Sequence, residues 1–437
     1  MSTPSSRKSP SAPIKVIDLF AGCGGFSAGF RSYEPNGPGS SPFVSVAAVE
    51  FDKAAASTYA ANFGSSHVHA DDIAIFDPTP FERGADIIMG GPPCQGFSGL
   101  GKEDPTDPRN ELWREYIRVV TTVQPKIFVI ENVDRFLKSS QFAELEADIK
   151  KPDGKLRNYW MQVEVLNAAD YGVPQARRRV IVICTRKDLG VALKHPRATH
   201  SKKGVVPDVD QGAFFAADAL PPESRPPLRW ESVASLVFER TESVPLLGPG
   251  LPEPSGIPSP FDPNIPGHYV TTDLHIRRTA TELSQARYRA IPPRGNRMDL
   301  RGRFYRVDRK GRIRLSRTAG YNRLKSPQHY LSTASWDRHD KGSGDVMGRL
   351  RADEPSVTIR TEFFKPEKGR YLHPTANRPI THLEAALIQG FPEEFKWYGT
   401  KTEIARQIGN AVPVGLGRAL AAAIHRHLQR YADTDHS

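Results

Sequence analysis

Cysteine is scarce in this sequence: three residues in 437, at positions 23, 94 and 184. That number and scatter exclude a disulfide framework and a Cys-rich zinc site, no metal is expected, and a reducing, intracellular setting fits. Long apolar runs are absent as well. Nothing approaches the ~18 apolar residues of a membrane-spanning helix, and mean hydropathy is -0.47. The N-terminal MSTPSSRKSPSAP has basic residues but no apolar stretch, so it does not read as a secretory signal, and residues 1–13 are expected to be a disordered tail. Two glycine-loop signatures are missing too. There is no GxGxxG, which disfavours a nicotinamide-dependent oxidoreductase, and no glycine loop ending in Gly-Lys-Ser/Thr. Acidic residues are outnumbered, 49 against 60 Lys and Arg.

The basic excess is concentrated. Between Ile276 and Ser326 sixteen Lys and Arg face only Glu282, Asp299 and Asp308, so this segment carries +13 while the whole chain carries +11. Aromatic residues interleave the arginines (Tyr288, Phe304, Tyr305, Tyr321), as on a surface that grips phosphates rather than in a merely solvated loop.

From Ile14 the chain alternates short apolar strands with helical patterns: IKVIDLF, FVSVAAVE, ADIIMGG, PKIFVIENV and RRVIVICTR supply the strands, and KAAASTYAANF and ELWREYIRVVTTVQ are helices between them. This order predicts an open, mostly parallel α/β sheet. From about Gly190 to Thr375 the sequence is rich in Pro, Gly and Arg and short of long helical patterns, which suggests a second, smaller, irregular β-rich domain. RGRFYRVDRKGRIRLS reads as a hairpin. After Pro379, THLEAALIQG starts a helix with Thr381 as N-cap and Glu384 three residues on.

Four strand ends carry chemistry. Asp18-Leu19-Phe20-Ala21-Gly22-Cys23-Gly24-Gly25 is a glycine turn that brings backbone close to a ligand, and Glu50 ends the next strand where an acidic side chain suits ribose hydroxyls. Asp72-Ile73 follows, and a nucleoside-containing cofactor fits all three. Gly90-Gly91-Pro92-Pro93-Cys94-Gln95-Gly96-Phe97-Ser98 presents a thiol on a rigid loop, a candidate nucleophile. Glu131-Asn132-Val133 offers a carboxyl suited to acid chemistry. In Gln175-Ala176-Arg177-Arg178-Arg179, strand alternation puts Arg177 and Arg179 on one side and Arg178 on the other.

DLFAGCGG, GGPPCQGFS, ENV, QARRR, RPITHLEAALIQGFP and RQIGNAVPV stand in the order and spacing of the cytosine-C5 DNA methyltransferases, which the chain resembles over about 14–190 and 376–420. The resemblance implies a Rossmann-like S-adenosylmethionine-dependent catalytic domain, 14–190 plus 376–437, with a target-recognition domain at 191–375. It implies a cofactor pocket of Asp18, Phe20, Ala21, Gly22, Gly24, Gly25, Glu50, Asp72, Ile73 and Asn410. Cys94 would be the nucleophile, Glu131 the acid, and Arg177 and Arg179 would orient the base. Gln95, Ser98, Arg301, Arg303, Arg306 and Thr358 are the implied DNA contacts.

The implied reaction is methylation of C5 of a flipped cytosine in duplex DNA by a bacterial, two-domain enzyme of restriction-modification type. Such an enzyme would act in the cytoplasm as a monomer and pair with a cognate endonuclease. The nearest alternative is a tRNA cytosine methyltransferase of the same superfamily, disfavoured by the size and charge of the 191–375 region. A non-catalytic DNA-binding homologue is disfavoured by the intact Cys94, Glu131, Arg177 and Arg179 set.

Overall fold

The computed structural model describes residues 12–93, 109–205, 225–317, 328–339 and 345–434. Its centre is a seven-stranded sheet made of β1 (Ile14–Leu19), β2 (Phe43–Val49), β3 (Val68–His69), β4 (Ile87–Gly90), β5 (Ile127–Asn132), β6 (Tyr159–Asn167) and β8 (Arg178–Arg186). The two-residue β7 (Gln175–Ala176) stands outside this sheet. The order is β3-β2-β1-β4-β5-β8-β6. The first five strands run parallel, whereas β8 lies antiparallel between β5 and β6. This is a Rossmann-like α/β arrangement. The chain reverses direction across the sheet between β1 and β4, which opens a crevice at the carboxyl ends of the strands.

Strand alternation divides the apolar residues between two cores. Ile17, Leu19, Ile88, Phe128, Ile130, Val180 and Val182 face α3 (Arg109–Val123) and α4 (Ser140–Lys150). Val16, Ile87, Met89, Ile127, Val129, Ile181 and Ile183 face α1 (Gly25–Arg31) and the last helix. With both faces covered, the strands need apolar residues at nearly every position, which is why they read as continuous runs. β6 is the exception. It lies at the sheet edge with its middle residues exposed, alternates polar and apolar residues, and escaped the sequence reading.

The helix α2 (Lys53–Phe63) is capped by Asp52, whose carboxylate accepts the N–H groups of Ala54 and Ala55. Toward the C-terminus come α6 (His382–Gln389), α7 (Lys401–Asn410) and α8 (Val414–Thr434); α5 (Glu282–Ala290) belongs to the basic region. Thr381 caps α6 and Glu384 reaches back to the Thr381 N–H, as the spacing predicts. Arg378 closes on the same buried carboxylate at 2.6 and 2.8 Å.

Among the described residues, the 191–375 region does not have one core of its own. Val233, Val237, Phe238 and Leu274 join a core with Leu350, Ile359 and the helices α6 and α7. A separate small core collects Ala286, Tyr288, Ile291, Leu300, Tyr305, Leu331, Met347 and Leu372. The expected hairpin is present as antiparallel strands Phe304–Val307 and Ile313–Ser316. Asp308 organises its turn by accepting the N–H groups of Lys310 and Arg312.

Candidate active site

Because β1, β2, β3, β4 and β5 are parallel, their carboxyl ends open on the same edge of the sheet. There they surround a cavity of ≈ 1050 Å³. Asp18, Phe20, Ala21, Gly22 and Gly25 line it from the β1 turn, Glu50 from β2, and Asp72 and Ile73 from β3. Gly91, Pro92 and Pro93 follow β4, and Glu131 and Asn132 end β5. The remaining wall comes from Arg177, Arg179, the segment Thr358–Thr361, and Asn410 with its neighbours at the end of α7.

Glu50 ties two loops together: its carboxylate accepts the Gly22 N–H at 2.8 Å and the Asp52 N–H at 2.8 Å. Burial pushes its carboxyl above the usual range. Asp18 is deeper. Its carboxylate accepts the Ser27 hydroxyl at 2.7 Å, and Ser27 is bonded in turn to Tyr59. Burial raises the Asp18 carboxyl to about 7, against the lowering effect of the Ser27 hydrogen bond. Phe20 holds a left-handed backbone at φ 55, strain of a kind that collects at functional sites. Gly24 stands behind the wall. A Cβ there would lie 2.4 Å from the Phe63 ring, so this glycine serves the packing of the turn on α2 and is not among the cavity-lining residues.

The antiparallel pairing of β5 with β8 explains the opposite end. Register sets Asn132 against Val180 and Glu131 against Ile181, so the start of β8 lies where β5 finishes. Arg179 Nε therefore comes within 2.9 Å of Glu131 Oε1, although the alignment is poor and this buried oxygen has no hydrogen-bond partner among the described residues. Arg177, 3% exposed, donates to the carbonyls of Ile359 and Gly409 at 3.0 Å each. Burial, then the neighbouring Arg179 charge, lower its guanidinium to about 9. Arg178 points out toward Asp134, as strand alternation predicts. The short β7 pairs with Ser356–Val357, which seats Thr358 beside Arg177; the Thr358 hydroxyl donates to the Ala176 carbonyl.

Cys94, Gln95 and Ser98 lie outside the described residues. What leads to them is well held: Asn132 donates to the Pro92 carbonyl at 2.9 Å, tying the ENV strand end to the loop after β4. Arg301, Arg303 and Arg306 do not line the cavity. Arg301 donates to the carbonyls of Trp336, Asp337 and His339, and Arg303 to that of Ala290, so these two brace the small core. Sequence reasoning named Asn132 within the ENV motif but gave it no role, and missed Phe51, Asp52, Arg360 and Arg406 as lining residues. Phe51 follows Glu50 and is 72% exposed, an unusual state for an aromatic, but nothing local in the sequence marks it as cavity-lining. Asp52 could have been found from its N-cap position before KAAAS; Arg406 pairs with it at 2.7 Å.

The sequence pattern of the C-5 cytosine-specific DNA methylases matches residues 14–223 and 270–426. The Type II methyltransferase M.XorII of Xanthomonas oryzae pv. oryzae is 32% identical, covering 95% of this chain and 85% of its own. The Type II methyltransferase M.DdeI of Desulfomicrobium norvegicum is 30% identical, over 94% and 88%. A solved structure of a prophage-encoded E. coli protein of the DNA modification methyltransferase class superimposes with a TM-score of 0.59 at 22% identity, over 95% and 99% of the two chains, which bears on the fold alone. Among the described residues no helix is long and apolar enough to cross a membrane. The chain belongs to the C-5 cytosine-specific DNA methylase family, the DNA (cytosine-5)-methyltransferases.

Proposed function

We propose that the protein methylates C5 of a cytosine rotated out of duplex DNA, through a transient bond between Cys94 and C6 of the ring. The observation that carries this reading is one cavity lined at one end by Asp18, Gly22 and Glu50 and at the other by Glu131, Arg177 and Arg179. Pockets that take a drug-sized ligand measure roughly 300–1,000 Å³, and this cavity of ≈ 1050 Å³ lies just above that range, as a site shared by a nucleoside cofactor and an extruded base requires.

The residues present fit S-adenosylmethionine. Glu50 retains acceptor capacity for ribose hydroxyls beyond its two backbone bonds. Phe20 and Phe51 offer aromatic surface, and Ala21, Gly22 and Gly25 of the β1 turn, with Asp72, Ile73 and Asn410, complete the enclosure. Bound there, S-adenosylmethionine supplies an electrophilic methyl group that an activated C5 accepts. Cytosine C5 is too electron-poor to accept it unaided. Addition of the Cys94 sulfur to C6 pushes electron density to C5, and a hydrogen bond from the Glu131 carboxyl at N3 stabilises the charge displaced there. Arg179 keeps Glu131 in place, and Arg177 fixes the wall formed by Ile359 and Gly409. A solvent water then takes the C5 proton, the C5–H electron pair re-forms the C5–C6 double bond, and the C6–S bond breaks to release the Cys94 thiolate and restore the aromatic ring. This chemistry is impossible within a stacked duplex, so the base must leave it, at a cost of a few kcal/mol.

The test is nucleoside mass spectrometry of unmethylated plasmid DNA incubated with the protein and S-adenosylmethionine, where 5-methylcytosine is the expected product. Bisulfite sequencing of the same DNA gives the site. Cys94→Ala and Glu131→Gln should each lose at least ~10²-fold in turnover while binding S-adenosylhomocysteine as before. Retained turnover in Cys94→Ala removes the nucleophile, and methylation of tRNA alone overturns the substrate. Pairing with a cognate endonuclease and action as a monomer belong to the same reading, since one extruded base per event requires no second copy.

A further inference from the structure

Four arginines line the cavity: Arg177, Arg179, Arg360 and Arg406. Three are committed. Arg177 is bonded to two carbonyls, Arg179 lies against Glu131 and bonds the Arg178 carbonyl, and Arg406 is paired with Asp52. Arg360 is exposed, as Arg406 is, but among the described residues its guanidinium has neither an acidic partner nor a hydrogen bond.

Its mounting is nevertheless rigid. The Ile359 N–H donates to Gln175 at 2.9 Å, the Ile359 carbonyl accepts from Arg177, and the Arg360 carbonyl accepts the Phe363 N–H. Gly409 presses so closely that a Cβ there would lie 2.5 Å from the Arg360 carbonyl carbon. A five-donor cation on a fixed backbone, open at the cavity rim, suits a planar or tetrahedral oxyanion. Two anions come to such a cavity: the carboxylate of the cofactor and the phosphates of the DNA strand. Arg360 is two residues from Thr358 and adjoins the residue that Arg177 holds, and so belongs to the end where the base is received; Glu50 and Asp72 mark the other.

We propose that Arg360 grips a phosphate of the strand that carries the target cytosine, holding the backbone while the base is in the cavity. This rests on reading the cavity as the receptor of an extruded cytosine. The experiment compares full-length wild-type protein, Arg360→Gln and Arg360→Lys on a short duplex containing the site mapped by bisulfite sequencing. Arg360→Gln should bind this duplex roughly tenfold more weakly and lower the slope of log affinity against log salt by about 0.9. Arg360→Lys should keep the slope, and S-adenosylhomocysteine affinity should be equal in all three, which also shows that the variants are folded. An unchanged slope in Arg360→Gln overturns the proposal; weakened S-adenosylhomocysteine binding with an unchanged slope gives the residue to the cofactor instead. A wild-type protein that methylates no duplex overturns both readings, whereas normal methylation with an unchanged slope overturns this one alone.

Discussion

Asp18 ends an apolar strand at 1% exposure, and its acidity records that position. In the unfolded chain it releases its proton near 3.8; in the folded protein burial holds the proton until about 7. The folded state therefore binds a proton that the unfolded state has lost throughout this window. Its stabilising effect is complete below 3.8 and declines until about 7, above which it is gone. Asp18→Asn keeps an acceptor for the Ser27 hydroxyl and removes the titration. Urea unfolding measured across this pH range should decline less steeply in the variant, and parallel profiles would sink the assignment. Asp18, Glu50 and Glu131 were legible in the sequence because each is a carboxylate closing an apolar run. Asn132, Phe51 and Arg360 were not, because what matters is the loop lying opposite each of them, and strand patterning does not encode that.

Among the elements, α1 and α8 approach most closely at glycine. A Cβ on Gly29 would lie 2.6 Å from the Gly417 Cα and 2.8 Å from the Arg418 nitrogen, both backbone atoms that cannot rotate away. Gly29→Ala should thus cost about 1–3 kcal/mol in unfolding free energy, and a melting temperature equal to wild type would show that the helices can separate freely. The strands themselves were readable, since covering both faces of a sheet demands apolar runs. Their order and the reversal of β8 were not. Yet that reversal is what brings Arg179 back to Glu131, 48 positions earlier in the chain. A parallel β8 would have started at the far end of β5 and left the carboxylate without its guanidinium. The site at this edge is thus a product of pairing, invisible to periodicity.

For the molecule as a whole, the sequence located the positive charge correctly but could not divide it by use. Besides Arg301 and Arg303, Arg297 donates to the Trp336 and His339 carbonyls, Arg287 lies over the Trp336 ring, and Arg294 pairs with Asp353 and Glu354. Arg309 and Lys310, at the exposed hairpin turn, have no such side-chain partner among the described residues. Neutralising Arg306, Arg309 and Lys310 together should flatten the salt dependence of duplex binding by about 0.9 for each phosphate that is no longer neutralised. Arg301→Gln should instead lower stability by about 1–3 kcal/mol and leave the slope alone; the reverse pattern in melts and salt titrations would exchange the two groups. The shared core of Val233, Val237, Phe238 and Leu274 with α6 and α7 bears on how such an enzyme can be re-targeted. Exchanging residues 191–375 for a relative's segment would strip these side chains from beneath the helices that carry Gln389 and Asn410. A chimera cut near 277 and 346 transplants the small core, except Met347 and Leu372, and leaves the shared one with its host. Cuts near 277 and 346 thus follow the division between the two cores, and they lie well inside the boundaries that composition suggests.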